Sequence, residues 1–350
     1  MKKNINWMVL GQTGSRKTSL LNYLFNLNLP TGMGKPVTPY GIFYDHTFIS
    51  PIKPDVTYTI FDSWGLEANK SEQWMNIIFE KLDAGFSVKC DDLFLGIIYC
   101  ISFASSRIQK FETDLIKDLI TKCKYNVIIA LTCADASDYK DKKKKYEDQL
   151  TRDLGSDNKG KYCTIDICSR YMKKKEIKPF GKEEMLQKIE EYGDSNLISI
   201  VKSKLGKWKD FWINKCNEYA IEQRPEIGYI KSDLLKTDVK VRRNLSKMYK
   251  QAIKEIKGEI EYTAKWKDYI KGSAYKGENL KSFDWYDILN PIKWVKYPLF
   301  DMDDNQENYL KVFENRIEGF NNTIKEVYDN VISNIKKQEA EIKLLGYKSE

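Results

Sequence analysis

Up to about residue 192, short runs of β-branched and aromatic residues alternate with segments whose apolar positions recur at helical spacing. That alternation predicts an α/β domain with a mainly parallel sheet. Strands are expected at Ile5–Leu10, Gly41–Ile49, Val56–Phe61, Leu93–Ser102, Tyr125–Thr132 and Tyr162–Ile167. Helices are expected after Lys17 and over Ser71–Leu82, Ile108–Lys122, Tyr139–Leu154 and Lys182–Tyr192. From Gly193 onward the strand pattern disappears. Leu197, Val201, Leu205, Trp208, Trp212, Cys216 and Tyr219 then line one helical face, and Leu245, Tyr249, Ile253, Ile256 and Ile260 a second. A last stripe, Leu310, Phe313, Ile317, Phe320, Ile324, Val327 and Val331, steps by threes and fours as in a coiled coil. The expected organisation is an α/β domain over 1–193 and an all-α helical bundle over 194–350, whose stripes pack on one another or on a second copy.

Between the last two helices, Phe283–Phe300 is rich in aromatics and broken by Pro291 and Pro298, so an irregular connection is expected there. Its Trp285, Tyr286, Trp294 and Tyr297 would dock it, or touch lipid headgroups. The tract Lys140–Lys145 reads as a solvated helix face.

Charge and cysteine content narrow the chemistry. In 350 residues, 58 basic side chains are interspersed with 50 acidic ones, for a net charge of +8, so an anionic partner is permitted but a histone-like polycation is excluded. Nothing in the sequence points to nucleic acid. The single histidine, His46, removes the common zinc sets and is assigned no role. The seven cysteines include no C-x-x-C pair and read as reduced thiols of a cytoplasmic protein. The N-terminus lacks the pattern of a signal peptide, and the apolar run Leu93–Ala104 is too short to span a bilayer. Membrane contact, if any, would be peripheral and with anionic lipid.

The decisive segment runs from Val9 to Leu21 and contains Gly11-Gln12-Thr13-Gly14-Ser15-Arg16-Lys17-Thr18-Ser19, a near match to G-x-x-x-x-G-K-[ST] between a strand and a helix. In such a loop successive backbone N–H groups form an anion nest and the helix adds its positive end. Lys17 would neutralise β and γ phosphate charge, and the Thr18 hydroxyl would hold Mg²⁺. Arg16 stands where the pattern has its second glycine, so it either cripples the loop or points away, or onto a phosphate.

Companions occur at plausible spacing. Asp62-Ser63-Trp64-Gly65 reads as D-x-x-G, with Asp62 supporting Mg²⁺ and the Gly65 N–H sensing the γ phosphate. Upstream, Gly32–Thr38 is a loop whose Thr38 would close on the same Mg²⁺. Thr132-Cys133-Ala134-Asp135 ends a strand as T-x-x-D, and the Asp135 carboxylate can accept from N1 and N2 of guanine, a donor pair that adenine lacks. Ile167-Cys168-Ser169-Arg170 would bring the Ser169 N–H to guanine O6.

In these motifs and their order the sequence resembles a P-loop GTPase of the Era, TrmE and septin-related branch, with some dynamin-like character, over about Ile5–Tyr192. The resemblance implies a Ras-like G domain that binds GTP or GDP with Mg²⁺ and switches conformation on hydrolysis. It implies catalytic parts for Lys17, Thr38 and Gly65, nucleotide contacts from Gly11 to Ser19 and from Thr132, Asp135 and Ser169, and metal contacts for Thr18, Thr38 and Asp62. Cys133 replaces the lysine that in the family lies over the base, and Leu66 stands where Ras-like members position water, so intrinsic hydrolysis is expected to be slow. Protein partners or a homodimer through the helical domain are implied. Three alternatives stay open: a non-catalytic pseudo-GTPase, a dynamin-like membrane machine and an ATPase.

Overall fold

The structure is a computed structural model and describes residues 3–31, 43–49, 56–67, 70–82, 92–135, 138–170, 177–224, 231–270 and 306–346. The threonine loop Gly32–Thr38, the aromatic segment Phe283–Phe300 and Cys90 lie outside the described residues. The chain divides into two compact units, 1–200 and 201–350.

Among the described residues the first unit is built on six strands: β1 Lys3–Gly11, β2 Phe43–Ile49, β3 Val56–Ser63, β4 Phe94–Ser102, β5 Val127–Thr132 and β6 Tyr162–Ile167. Their spatial order is β2-β3-β1-β4-β5-β6. Only β2 runs antiparallel to its neighbour. This is the arrangement of a Ras-like G domain. Strands β4 and β5 are buried along their whole length, which is why they read as unbroken apolar runs and not as alternation. Helices α1 Lys17–Phe25, α2 Ser71–Leu82, α3 Lys110–Thr121, α4 Tyr139–Leu154 and α5 Lys182–Gln223 complete this part of the chain.

Helix α5 corrects the sequence reading, which ended one helix at Tyr192 and began another after Gly193. One 42-residue helix runs through that point. Asn196 holds it in place: its side chain accepts from the Asn126 amide (2.6 Å) and donates to the Asn126 carbonyl (3.0 Å). Ser199 donates to the Lys124 carbonyl at 3.2 Å. The polar side chains of this stretch are spent on the turn before β5.

Helix α3 starts in a capping box, in which Gln109 and Glu112 satisfy each other's backbone N–H groups. Glu112 is almost fully buried and also accepts from the Tyr99 hydroxyl at 3.3 Å. Burial raises its pKa from 4.5 to about 7, against the opposing pull of those two hydrogen bonds. The folded state therefore holds this proton more tightly than the unfolded chain. Its contribution to stability is complete below pH 4.5 and is lost as pH rises through about 7. Glu112→Gln is expected to flatten that decline in urea midpoint, measured from pH 5 to about 8.

The second unit contains the C-terminal part of α5, α6 Lys231–Ile270 and α7 Gln306–Gly346. Trp208 Nε1 donates to the Ala252 carbonyl (3.2 Å) and Asn244 to the Tyr219 hydroxyl (3.1 Å), so α5 and α6 run antiparallel. Asn321 donates to Asn217 (2.8 Å) and the Lys209 ammonium lies 4.7 Å from the Tyr328 ring, so α7 is also antiparallel to α5. The α7 stripe is buried within this unit, but shifted from the expected one. Tyr309 and Arg316 are fully buried, whereas Leu310 and Ile317 are half-buried. On α6, Ala252 is buried and Ile253 only half so, the same one-residue shift.

The shift on α7 centres on an ion pair. Arg316 Nε donates to Asp238 Oδ1 at 2.8 Å and Nη2 to Oδ2 at 3.2 Å, a bidentate pair sealed from water between α6 and α7. Asp238→Ala strands a buried guanidinium and is expected to cost about 3–5 kcal/mol, read by urea unfolding of the full chain. The double change Asp238→Leu with Arg316→Met is expected to recover most of that loss.

Candidate functional site

The site is assembled where β1, β3, β5 and β6 end on one edge of the sheet. After β1 the chain turns at Gly11, whose φ of +143° and position against β4 exclude a side chain: a Cβ there would lie 2.4 Å from the Cys100 carbonyl oxygen. The Gly11 carbonyl accepts from the Lys17 ammonium and from the Leu66 amide, each at 3.1 Å. Lys17 also donates to the Gln12 carbonyl at 3.1 Å, so its side chain folds back along the loop. The Ser15 amide closes a turn onto the Gln12 carbonyl at 3.1 Å.

Gly14 and Arg16 both adopt left-handed backbone, at φ +81° and +67°. The second value explains why the general pattern has glycine at position 16. Arginine pays a steric penalty in that conformation, and α1 starts directly after it, with the Leu20 amide bonded to the Arg16 carbonyl at 2.9 Å.

Thr18 and Asp62 meet behind the loop: the Thr18 hydroxyl donates to Asp62 Oδ2 at 2.8 Å. The other carboxylate oxygen, Oδ1, is buried with no hydrogen-bond partner. Burial pushes the Asp62 pKa up and the Lys17 pKa down, and the attraction between the two opposes both shifts. His46 adds a smaller pull on Asp62 in the same direction as Lys17. Hydroxyl plus an orphaned carboxylate oxygen is a hard-oxygen donor set of the kind Mg²⁺ accepts, with water and phosphate oxygens supplying the rest. Among the described residues no cluster of three or more His, Cys, Asp or Glu side chains forms an all-protein metal site.

The D-x-x-G segment lies against the loop. Gly65 does not stand clear of the loop. A Cβ on it would fall 2.0 Å from Thr13 Oγ1 and 2.4 Å from Thr13 Cα. Leu66, buried, is paired with Gln12 in a parallel bridge, and its carbonyl accepts from the Thr13 amide at 3.4 Å. The segment is thus zipped onto the phosphate loop, one step beyond the β1–β3 ladder.

A cavity of about 360 Å³ opens beside this loop. Arg16, Ser19 and Tyr23 line one side, and Cys133, Asp135, Ser169 and Arg170 another. The structure therefore brings Asp135 and Ser169 to one cavity with the end of the phosphate loop. Thr132 does not line it. Its hydroxyl donates to the Ser15 carbonyl at 2.9 Å, tying β5 to the loop from behind, so it positions the loop and does not touch the cavity. Tyr23 and Arg170 were not singled out by sequence. Tyr23 follows Ser19 by four, one helical turn, and that spacing is the signal that marks it.

Removing the left-handed strain at position 16 has a direct readout. Arg16→Gly is expected to stabilise the nucleotide-free protein by about 1 kcal/mol, seen as a raised melting temperature.

No protein-family model and no curated protein matches the chain. Among solved structures it is similar to the G domain of the T. maritima FeoB iron transporter, at 18% identity over 54% of this chain and 98% of that one, with a TM-score of 0.29. It is also similar to Toc33 from Arabidopsis thaliana, at 15% identity over 55% and 84%, with a TM-score of 0.39. A third is Methanosarcina barkeri Roco2 RocCORdC bound to GDP, at 14% identity over 58% and 55%, with a TM-score of 0.33. With TM-scores this low, the functional reading rests on the residues of the site itself.

Proposed function

We propose that the first unit binds a guanine nucleotide at the phosphate loop and hydrolyses GTP slowly, working as a conformational switch. The observation that supports this reading is the shared cavity: Arg16 and Ser19 at the end of the loop and a carboxylate suited to guanine N1 and N2 line one volume large enough for a small ligand. The loop N–H groups and Lys17 would counter phosphate charge, Asp135 would select guanine, and the Ser169 N–H would reach O6. Thr18 and Asp62 would hold Mg²⁺, directly and through water. The metal would supply charge neutralisation on the phosphates.

Lys17 must leave the loop carbonyls to reach phosphate. Its depressed pKa reflects a desolvated ammonium that an anionic ligand would relieve. Gly65 and Leu66 must likewise separate from Thr13 and Gln12 before the Gly65 N–H can meet a γ phosphate. That separation is the switch. A second reading, binding without turnover, is favoured by Leu66, which is apolar, buried and fixed by its backbone, and so cannot orient water.

The test is titration of the stripped protein with GTP, GDP and an ATP analogue in Mg²⁺. Guanine-selective binding is expected, weakened at least tenfold by Lys17→Ala, with the guanine preference lost in Asp135→Asn. Equal affinity for the ATP analogue, or no binding at all, overturns the reading. Single-turnover release of phosphate then separates slow hydrolysis from none.

A further inference from the structure

Cys133 lines the cavity that holds Asp135 and Ser169, and a second thiol, Cys168, directly precedes Ser169 in the chain. Cys133 follows β5 directly, and Cys168 follows β6 directly. The last register pair of these parallel strands is Thr132 with Ile167. The Ala134 amide then donates to the Ile167 carbonyl at 3.1 Å, so the two chains stay side by side through the cysteines. Neighbouring strands lie about 4.8 Å apart, within the Cα separation of roughly 4.4–6.8 Å that a disulfide spans.

The two sulfurs are not equivalent. Both cysteines are free. Cys133 is half-buried, lines the cavity, and sits in left-handed backbone at φ +58°. Cys168 is buried, and its Sγ donates to the Arg170 carbonyl at 3.3 Å. Burial pushes the Cys168 thiol up, opposed by that hydrogen bond and by the Arg170 charge. The accessible sulfur is therefore Cys133, with Cys168 placed next to it as a resolving thiol.

We propose that Cys133 and Cys168 form a reversible disulfide that closes the nucleotide cavity, making it sensitive to peroxide. This rests on the nucleotide-binding reading above. The Cys133 thiolate attacks one oxygen of hydrogen peroxide: an S–O bond forms, the O–O bond breaks, and the leaving hydroxide takes a proton to become water. The Cys168 sulfur then attacks the Cys133 sulfur: the S–S bond forms, the S–O bond breaks, and the Cys168 proton leaves with the hydroxyl as a second water. Two thiols lose two electrons in all, and peroxide is reduced to two waters. Cys168 does not line the cavity, so bonding to it draws the Cys133 side chain away from the cavity. Asp135 lies two residues on, and Ser169 directly follows Cys168, so both base-facing positions are displaced.

The test uses the purified full chain, treated with hydrogen peroxide, blocked with N-ethylmaleimide, digested and analysed by mass spectrometry. A linked Cys133–Cys168 peptide is expected. Binding of a fluorescent GDP analogue is expected to weaken at least tenfold and to recover with dithiothreitol. In Cys133→Ser, peroxide is expected to leave the affinity of that variant where it was. Recovery of both cysteines as separately alkylated peptides, or a linked peptide with unchanged affinity, overturns the proposal. If the reduced protein binds no guanine analogue, the nucleotide reading fails and the gating with it. The linked peptide still decides whether the disulfide forms.

Discussion

One carbonyl oxygen, that of Gly11, organises the site. The Lys17 ammonium and the Leu66 amide both donate to it, at the point where β1 ends in a glycine pressed against β4. Through Lys17 it sets the first turn of α1; through Leu66 it sets the end of the β3 loop. Thr132 braces the same loop from β5. Three strands and one helix are therefore referred to a single turn of a few residues, and a ligand that displaces Lys17 or Leu66 acts on all of them at once.

Much of this is legible in the chain. The α/β alternation marks all six strands of the described sheet, because buried parallel strands must be apolar throughout and their connecting helices amphipathic. The phosphate loop is legible because its backbone geometry admits few residues. The features that escape are those in which a polar residue does the work of an apolar one. Arg316 sits in the helical core because Asp238 faces it, and no hydrophobic stripe can announce that. Asn196 carries α5 through a segment rich in helix-stopping residues because Asn126 satisfies its amide. Thr132 matches a base-recognition motif but spends its hydroxyl on the loop behind it. In each case the deciding partner is 70 or more residues away in sequence.

The electrostatics of the site follow from burial more than from net charge. Lys17 and Asp62 are both desolvated, and each shifts toward its neutral form despite the other's presence. An anion entering beside Lys17 and a cation beside Asp62 would each relieve the cost of that desolvation. Binding of nucleotide and metal would then be coupled through the same dehydrated volume.

The contact between Gly65 and Thr13 also constrains how such a chain can change over time. A Cβ at position 65 would lie 2.0 Å from the Thr13 hydroxyl and 2.4 Å from Thr13 Cα, so a smaller side chain at position 13 alone makes no room for it. Related sequences are free to enlarge position 65 only if they abandon the zipped arrangement. Glycine at that position would therefore mark the lineages that keep this resting state.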